Sequence, residues 1–116
     1  MKTIGIVGTR RRDTNDDCWK VEEVFRVLYK KGDRICSGGC YKGGDRFAEA
    51  IARKLGIPIL IFHPDWRTYG KGAGLIRNSD IAKNSDSLIA CVSEDRTGGT
   101  EDTIKKFNDK DNLYLV

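Results

Sequence analysis

Three features are missing from this chain, and each removes a class of function. No apolar run approaches the roughly 20 residues that cross a bilayer. Met1-Lys2-Thr3 leads straight into a strand-like segment, without the apolar stretch of a secretory signal. The expectation is a cytoplasmic protein with no membrane partner. The second absence is any paired Cys-x2-Cys spacing: Cys36 and Cys91 fall in apolar runs, Cys40 in a turn and Cys18 near a helix start, so the four cysteines read as reduced thiols. A metal would require Cys36, Cys40 and the single histidine, His63, to converge, a pattern too weak to predict a site. No metal and no cofactor is expected. The third absence is the Gly-x-Gly-x-x-Gly dinucleotide fingerprint, for the first strand runs into Gly8-Thr9-Arg10 instead, which argues against NAD bound in the usual mode.

What is present is a chain of 116 residues, with no internal repeat, low-complexity segment or linker, which fits one domain over 1–116 and leaves no room for a separate substrate domain. Lys and Arg number 21 against 17 Asp and Glu, a net charge of +4 that mildly favours anionic partners. Apolar runs alternate with amphipathic stretches throughout. Ile4-Gly5-Ile6-Val7 is followed by Val21, Val24, Phe25 and Leu28 at helical spacing; Ile35-Cys36 precedes Ala48, Ile51, Ala52 and Leu55 in the same pattern. A third apolar run over 57–62 leads into a loop through Trp66 to Gly74 and a helix near 75–83. Strands over 88–92 and 113–116 flank a helix at about 100–108. Short unbroken apolar strands separated by helices imply a parallel sheet covered on both faces. The predicted fold is therefore α/β: three-layer, Rossmann-like, a five-stranded, mostly parallel sheet with helices on both faces.

In such sheets ligands sit outside the carboxyl ends of the strands, where the strand order reverses. Four glycine-marked loops fall at that edge. Gly8-Thr9-Arg10 offers a tight turn and a guanidinium for an anion. Ser37-Gly38-Gly39 and Gly43-Gly44-Asp45 flank a short excursion, with Ser37 and the Gly38 and Gly39 amides as ligand contacts and Asp45 as a contact or a cap of the next helix. Gly70-Lys71-Gly72-Ala73-Gly74 leads to Arg77-Asn78, and Gly98-Gly99-Thr100 opens a helix whose first turn carries Glu101 and Asp102. Glycine lets backbone approach a ligand, and free N–H groups at a helix start attract anions. Together the loops imply one pocket for a phosphorylated ligand. Trp66 and Tyr69 offer a stacking surface or simply pin their loop to the domain.

Taken together, Ser37-Gly38-Gly39, Gly43 to Asp45, Ala48-Glu49, Pro64-Asp65-Trp66, Tyr69-Gly70-Lys71, Ala73-Gly74, Arg77-Asn78 and Gly98-Gly99-Thr100 resemble the SLOG superfamily. Those Rossmann-like domains include the LOG cytokinin-activating phosphoribohydrolases, the DprA recombination mediators and many small proteins, the small ones being the nearest in pattern. The resemblance implies binding of a nucleotide or nucleotide-derived ligand at the carboxyl edge. A LOG-like reading makes Arg77, Glu101 and Asp102 catalytic in N-glycosidic hydrolysis of a nucleoside monophosphate. Where LOG enzymes carry paired glutamates this chain has Asp102-Thr103, and Arg96-Thr97 replaces the leading glycines of the turn. The alternative, suggested by Arg10-Arg11-Arg12, is a DprA-like module for single-stranded DNA. A homodimer is expected, since one small domain leaves the carboxyl edge open.

Overall fold

The computed structural model describes residues 1–116. β1 (Thr3–Gly8), β2 (Arg34–Ser37), β3 (Ile59–Ile61), β4 (Ser87–Cys91) and β5 (Leu113–Leu115) alternate with α1 (Asn15–Leu28), α2 (Gly44–Leu55), α3 (Trp66–Tyr69), α4 (Ala73–Asn84) and α5 (Gly99–Lys106). The strands form one sheet in the order β3-β2-β1-β4-β5, every neighbouring pair parallel. This is the three-layer Rossmann-like architecture, with a wholly parallel sheet. Because the chain steps outward from β1 to β3 and then crosses to β4, right-handed connections place α1 and α2 on one face and α4 and α5 on the other. The reversal of strand order falls between β1 and β4.

Each face has its own core. Phe25 from α1 and Phe47 and Ile51 from α2 pack with Ile4, Ile6, Ile35 and Ile89 of the sheet. On the other side Val7, Cys36, Leu88 and Ala90 meet Ile81, Ala82 and Phe107. Burial of a side chain of this size contributes about 1.5–3 kcal/mol, which is why both helical layers stay down on the sheet.

Local chemistry moves several boundaries. α1 begins at Asn15, well before its apolar stripe, because Thr14 and Asp17 form a reciprocal capping box. The segment expected to be an unbroken loop contains the short helix α3, started by Asp65, whose carboxylate accepts from the Thr68 N–H at 3.1 Å. β3 is shorter than its apolar run: Pro58 has no N–H to offer, and the Ile57 N–H turns back to the Ala52 carbonyl at the end of α2.

Candidate functional site

The loops after β1 and β4 lie side by side at the reversal point and enclose a cavity of about 270 Å³. The end of β1 contributes Val7 to Arg11, the start of α2 Asp45, and the loop before it Cys40. α4 brings Arg77, Asn78 and Ile81, and the turn into α5 brings Thr97 to Thr100 together with Thr103. Of the residues singled out from sequence, Gly8, Thr9, Arg10, Asp45, Arg77, Asn78, Gly98, Gly99 and Thr100 are thus brought together.

The construction depends on close backbone approach. A Cβ on Gly44 would collide with the Gly8 N–H and the carbonyl of Val7, so α2 starts directly against the end of β1. Asp13 tightens the same junction. Its Oδ1 accepts from the Gly43 N–H and from Arg46 Nε, both at 2.8 Å, and these bonds hold its carboxyl below the usual range. Across the cavity α5 starts at Gly98, whose φ of +105° is open to glycine, and no side chain caps the helix. The Glu101 N–H returns to the Gly98 carbonyl at 3.2 Å, and the N–H groups of Gly99 and Thr100 are left for a ligand or water.

Charge is distributed unevenly. Arg11 is paired with Asp95 at 2.9 Å and also donates to Thr97, while Arg12 pairs with Asp17 at 3.1 Å and donates to the carbonyls of Val92 and Val116. Bonds from Arg11, Ser93 and Thr97 drive the Asp95 carboxyl far below its ordinary range. Arg96, in a left-handed conformation with φ +54°, is held by both oxygens of Glu101 at 2.7 and 3.0 Å. Arg10 and Arg77, by contrast, line the cavity without a carboxylate partner. Arg77 does not open its helix, as its place after the glycines suggested, but lies one turn inside α4. There Nη1 donates to the Gly38 carbonyl at 2.8 Å and Nε to Asn78 Oδ1 at 3.0 Å.

The remaining expected residues lie outside the cavity lining. Ser37 is fully buried, its hydroxyl between the Ile6 carbonyl at 2.5 Å and Asp45 Oδ1 at 2.8 Å. Asp45 is not the cap of α2, a position held by Gly43; its other oxygen accepts from the Cys40 N–H at 3.1 Å and so shapes the β2–α2 loop. Gly38 and Gly39 make room for neighbours: Cβ atoms there would lie 2.5 Å from Arg77 Nη1 and 2.8 Å from the His63 ring. Glu101 is occupied by Arg96. Asp102 accepts from Lys106 Nζ at 2.8 Å and Asn78 Nδ2 at 3.1 Å; burial alone would raise its pKa, but these bonds outweigh it and keep the carboxyl ionised below the ordinary value. Trp66 and Tyr69, on α3, are half exposed.

Sequence reading did not single out Arg11, Cys40, Thr97 or Thr103 for the site. Thr103 carried a usable signal, lying one helical turn beyond Gly99 and Thr100 on the same face of α5. Cys36, Cys40 and His63 do not converge, and no cluster of three His, Cys, Asp or Glu side chains is placed to hold a metal ion.

No protein-family model and no curated protein matches the chain. Its fold is similar to that of the molybdenum cofactor binding protein from the phototrophic bacterium Rippkaea orientalis, with a TM-score of 0.74 and 21% identity over 98% of this chain and 75% of that one. It is also similar to TM1055, a structural-genomics target, with a TM-score of 0.65 and 21% identity over 92% of this chain and 68% of the other. At this identity the likeness establishes the shared α/β Rossmann-like fold.

Proposed function

We propose that the protein binds a small molecule bearing a phosphate, a nucleotide or nucleotide-derived compound, with the phosphate seated on the β1–α1 loop and the uncapped start of α5. One observation carries this reading: Arg10 and Arg77 face a polar cavity without carboxylate partners, while Arg11, Arg12 and Arg96 nearby are all neutralised. A bound dianion would supply the missing charge and satisfy the free N–H groups of α5. A second phosphorylated heterocycle, the molybdenum cofactor, suits the same seat and is favoured by the fold shared with a protein that binds it.

Two observations support binding over N-glycosidic hydrolysis. Neither Glu101 nor Asp102 lines the cavity, and both carboxylates are engaged by cations of their own. The single-stranded DNA reading loses its basis in charge, since two of the three consecutive arginines are spent on Asp95 and Asp17. Calorimetric titration with a nucleoside monophosphate and the matching nucleoside tests the proposal. Saturable binding that needs the phosphate is expected; equal affinity for both, or salt-sensitive binding of single-stranded DNA alone, would overturn it.

A further inference from the structure

Trp66 lies outside the residues that line the cavity, against the start of α4. On α4, residues 74, 77, 78 and 81 share a face by helical spacing, and Arg77, Asn78 and Ile81 line the cavity. Gly74 is the outer end of that stripe, one turn nearer the helix start. The tip of the Trp66 indole, Cη2, lies 3.7 Å from the position a Cβ on Gly74 would take. Yet Trp66 remains 59% exposed, on a helical turn whose backbone is fixed by the Asp65 cap. What sets this exposed ring apart is its place, one helical turn along α4 from side chains that line the cavity.

The cavity bears on what kind of ligand would reach it. Its volume of about 270 Å³ is below the roughly 300–1,000 Å³ of sites that enclose a whole drug-sized ligand. Its wall carries Arg10, Arg77 and four threonines, suited to phosphate and sugar hydroxyls, and no aromatic ring. A ligand longer than a sugar phosphate that extends along α4 toward Gly74 meets the exposed face of Trp66. We infer that Trp66 is the stacking platform for an aromatic nitrogen heterocycle whose phosphate occupies the cavity, so that the ligand is a phosphorylated purine or pterin rather than a sugar phosphate. The inference rests on the phosphate-binding reading above. An indole face attracts such rings regardless of their hydrogen-bonding edges, so Trp66 gives affinity for the ring class, while the ring's identity is read elsewhere.

Trp66 is one of two tryptophans, and the other, Trp19, lies on α1 across the sheet. Trp19→Phe leaves Trp66 as the sole fluorescent reporter. This variant is titrated with guanosine monophosphate, neopterin monophosphate and ribose 5-phosphate, followed by tryptophan emission and by calorimetry. One of the ring-bearing compounds is expected to quench Trp66 and to bind about 5- to 150-fold more tightly than ribose 5-phosphate, the range of one ring stacked on an aromatic side chain; which one does so separates purine from pterin. Trp66→Ala should erase that advantage and leave ribose 5-phosphate affinity unchanged, with Trp66→Phe retaining part of it. Equal affinity for ringed and ringless phosphates, or an equal loss for both in Trp66→Ala, overturns the stacking role while the phosphate seat stands. If none of the three binds, the phosphate-binding reading fails and the platform with it. A change in Trp66 emission on raising protein concentration alone, with a matching dimer in sedimentation, would assign this face to a second copy and likewise overturn the inference.

Discussion

Arg77 reaches across the carboxyl edge and donates to the Gly38 carbonyl at 2.8 Å, tying α4 to the loop after β2. The guanidinium is thus aimed before any ligand arrives, with part of its ordering cost already met by the fold. Arg77→Ala is expected to weaken binding of a phosphorylated ligand by about 1.5–3 kcal/mol, the range for hydrogen bonds to a charged group. The unphosphorylated counterpart should lose far less, and calorimetry on the pair measures the difference. Equal losses would show that Arg77 does not contact the phosphate.

The same contact changes the reason for expecting Gly38 to be sensitive. A side chain at Gly38 would enter the space of Arg77 Nη1 and Asp45 Oδ2, 2.5 and 2.8 Å away, and not the space of the ligand. Gly38→Ala should therefore reduce ligand affinity by displacing Arg77. In the Arg77→Ala background the added methyl should cost much less, a non-additivity that a double-mutant cycle in calorimetry would reveal.

Gly44 and Gly99 offer a cleaner separation of fold from site. A Cβ at Gly44 meets the backbone of Val7 and Gly8, which cannot yield as a flexible side chain does, whereas a Cβ at Gly99 meets nothing. Gly44→Ala is expected to destabilise the fold by about 3 kcal/mol, the upper end of overpacking costs. Gly99→Ala should keep or slightly raise the unfolding temperature while lowering ligand affinity, because its methyl lies in the cavity lining. Thermal unfolding and titration of the two variants would show opposite patterns.

Asp102→Asn tests the binding-only reading. The carboxylate serves Lys106 and Asn78 in a partly exposed pair, so its loss should lower stability by no more than about 1 kcal/mol. Ligand affinity should hardly move. Chromatography of a nucleoside monophosphate incubated with wild type or variant should show no free base; base released by wild type alone would make the protein a hydrolase.

Acid should act through ion-paired carboxylates, among them the buried Glu22. Burial alone would raise its pKa, but bonds and charges from Lys54 and Arg26 at 3.0 and 2.9 Å outweigh it and hold the folded-state value below the ordinary one. A lowered folded pKa means that the contribution is fully present above about 4.3 and drains away as pH falls through the lower, folded value. Urea midpoints measured from about pH 6 to pH 3 should fall less steeply for Glu22→Gln than for wild type. Parallel slopes would place the acid sensitivity in other carboxylates.

The layers were legible in the sequence because period-2 and period-3.6 patterns record which face is buried, and the Phe25 and Ile51 stripes do so plainly. The glycine loops were legible as an edge for the same reason. Less legible was the division of labour within them. Gly44 is required by a neighbouring strand while Gly99 has open space beside it, yet both appear simply as glycine in a turn. Ser37 and Asp45 carry polar groups that suit a ligand equally well, and only their burial against Ile6 and Cys40 shows that they hold one another. Ion pairing among Arg11, Arg12 and Arg96 depends on partners as far off as Asp95, beyond the reach of local pattern.

The central position of β1 sets a timetable for synthesis. Its register with β4 joins Ile4 to Ser87 and Gly8 to Cys91, so β1 waits with one edge unpaired until β4, more than eighty residues later, has been made. Pairings this distant in sequence are slow to form, and the exposed edge is a site for wrong partners meanwhile. The cavity closes later still, because the turn at Gly98 and the first part of α5 must be made before its second wall exists. A nascent chain halted before Gly98 would lack the helix start that faces the loop after β1 and Arg77, and with it one side of the seat proposed for the phosphate.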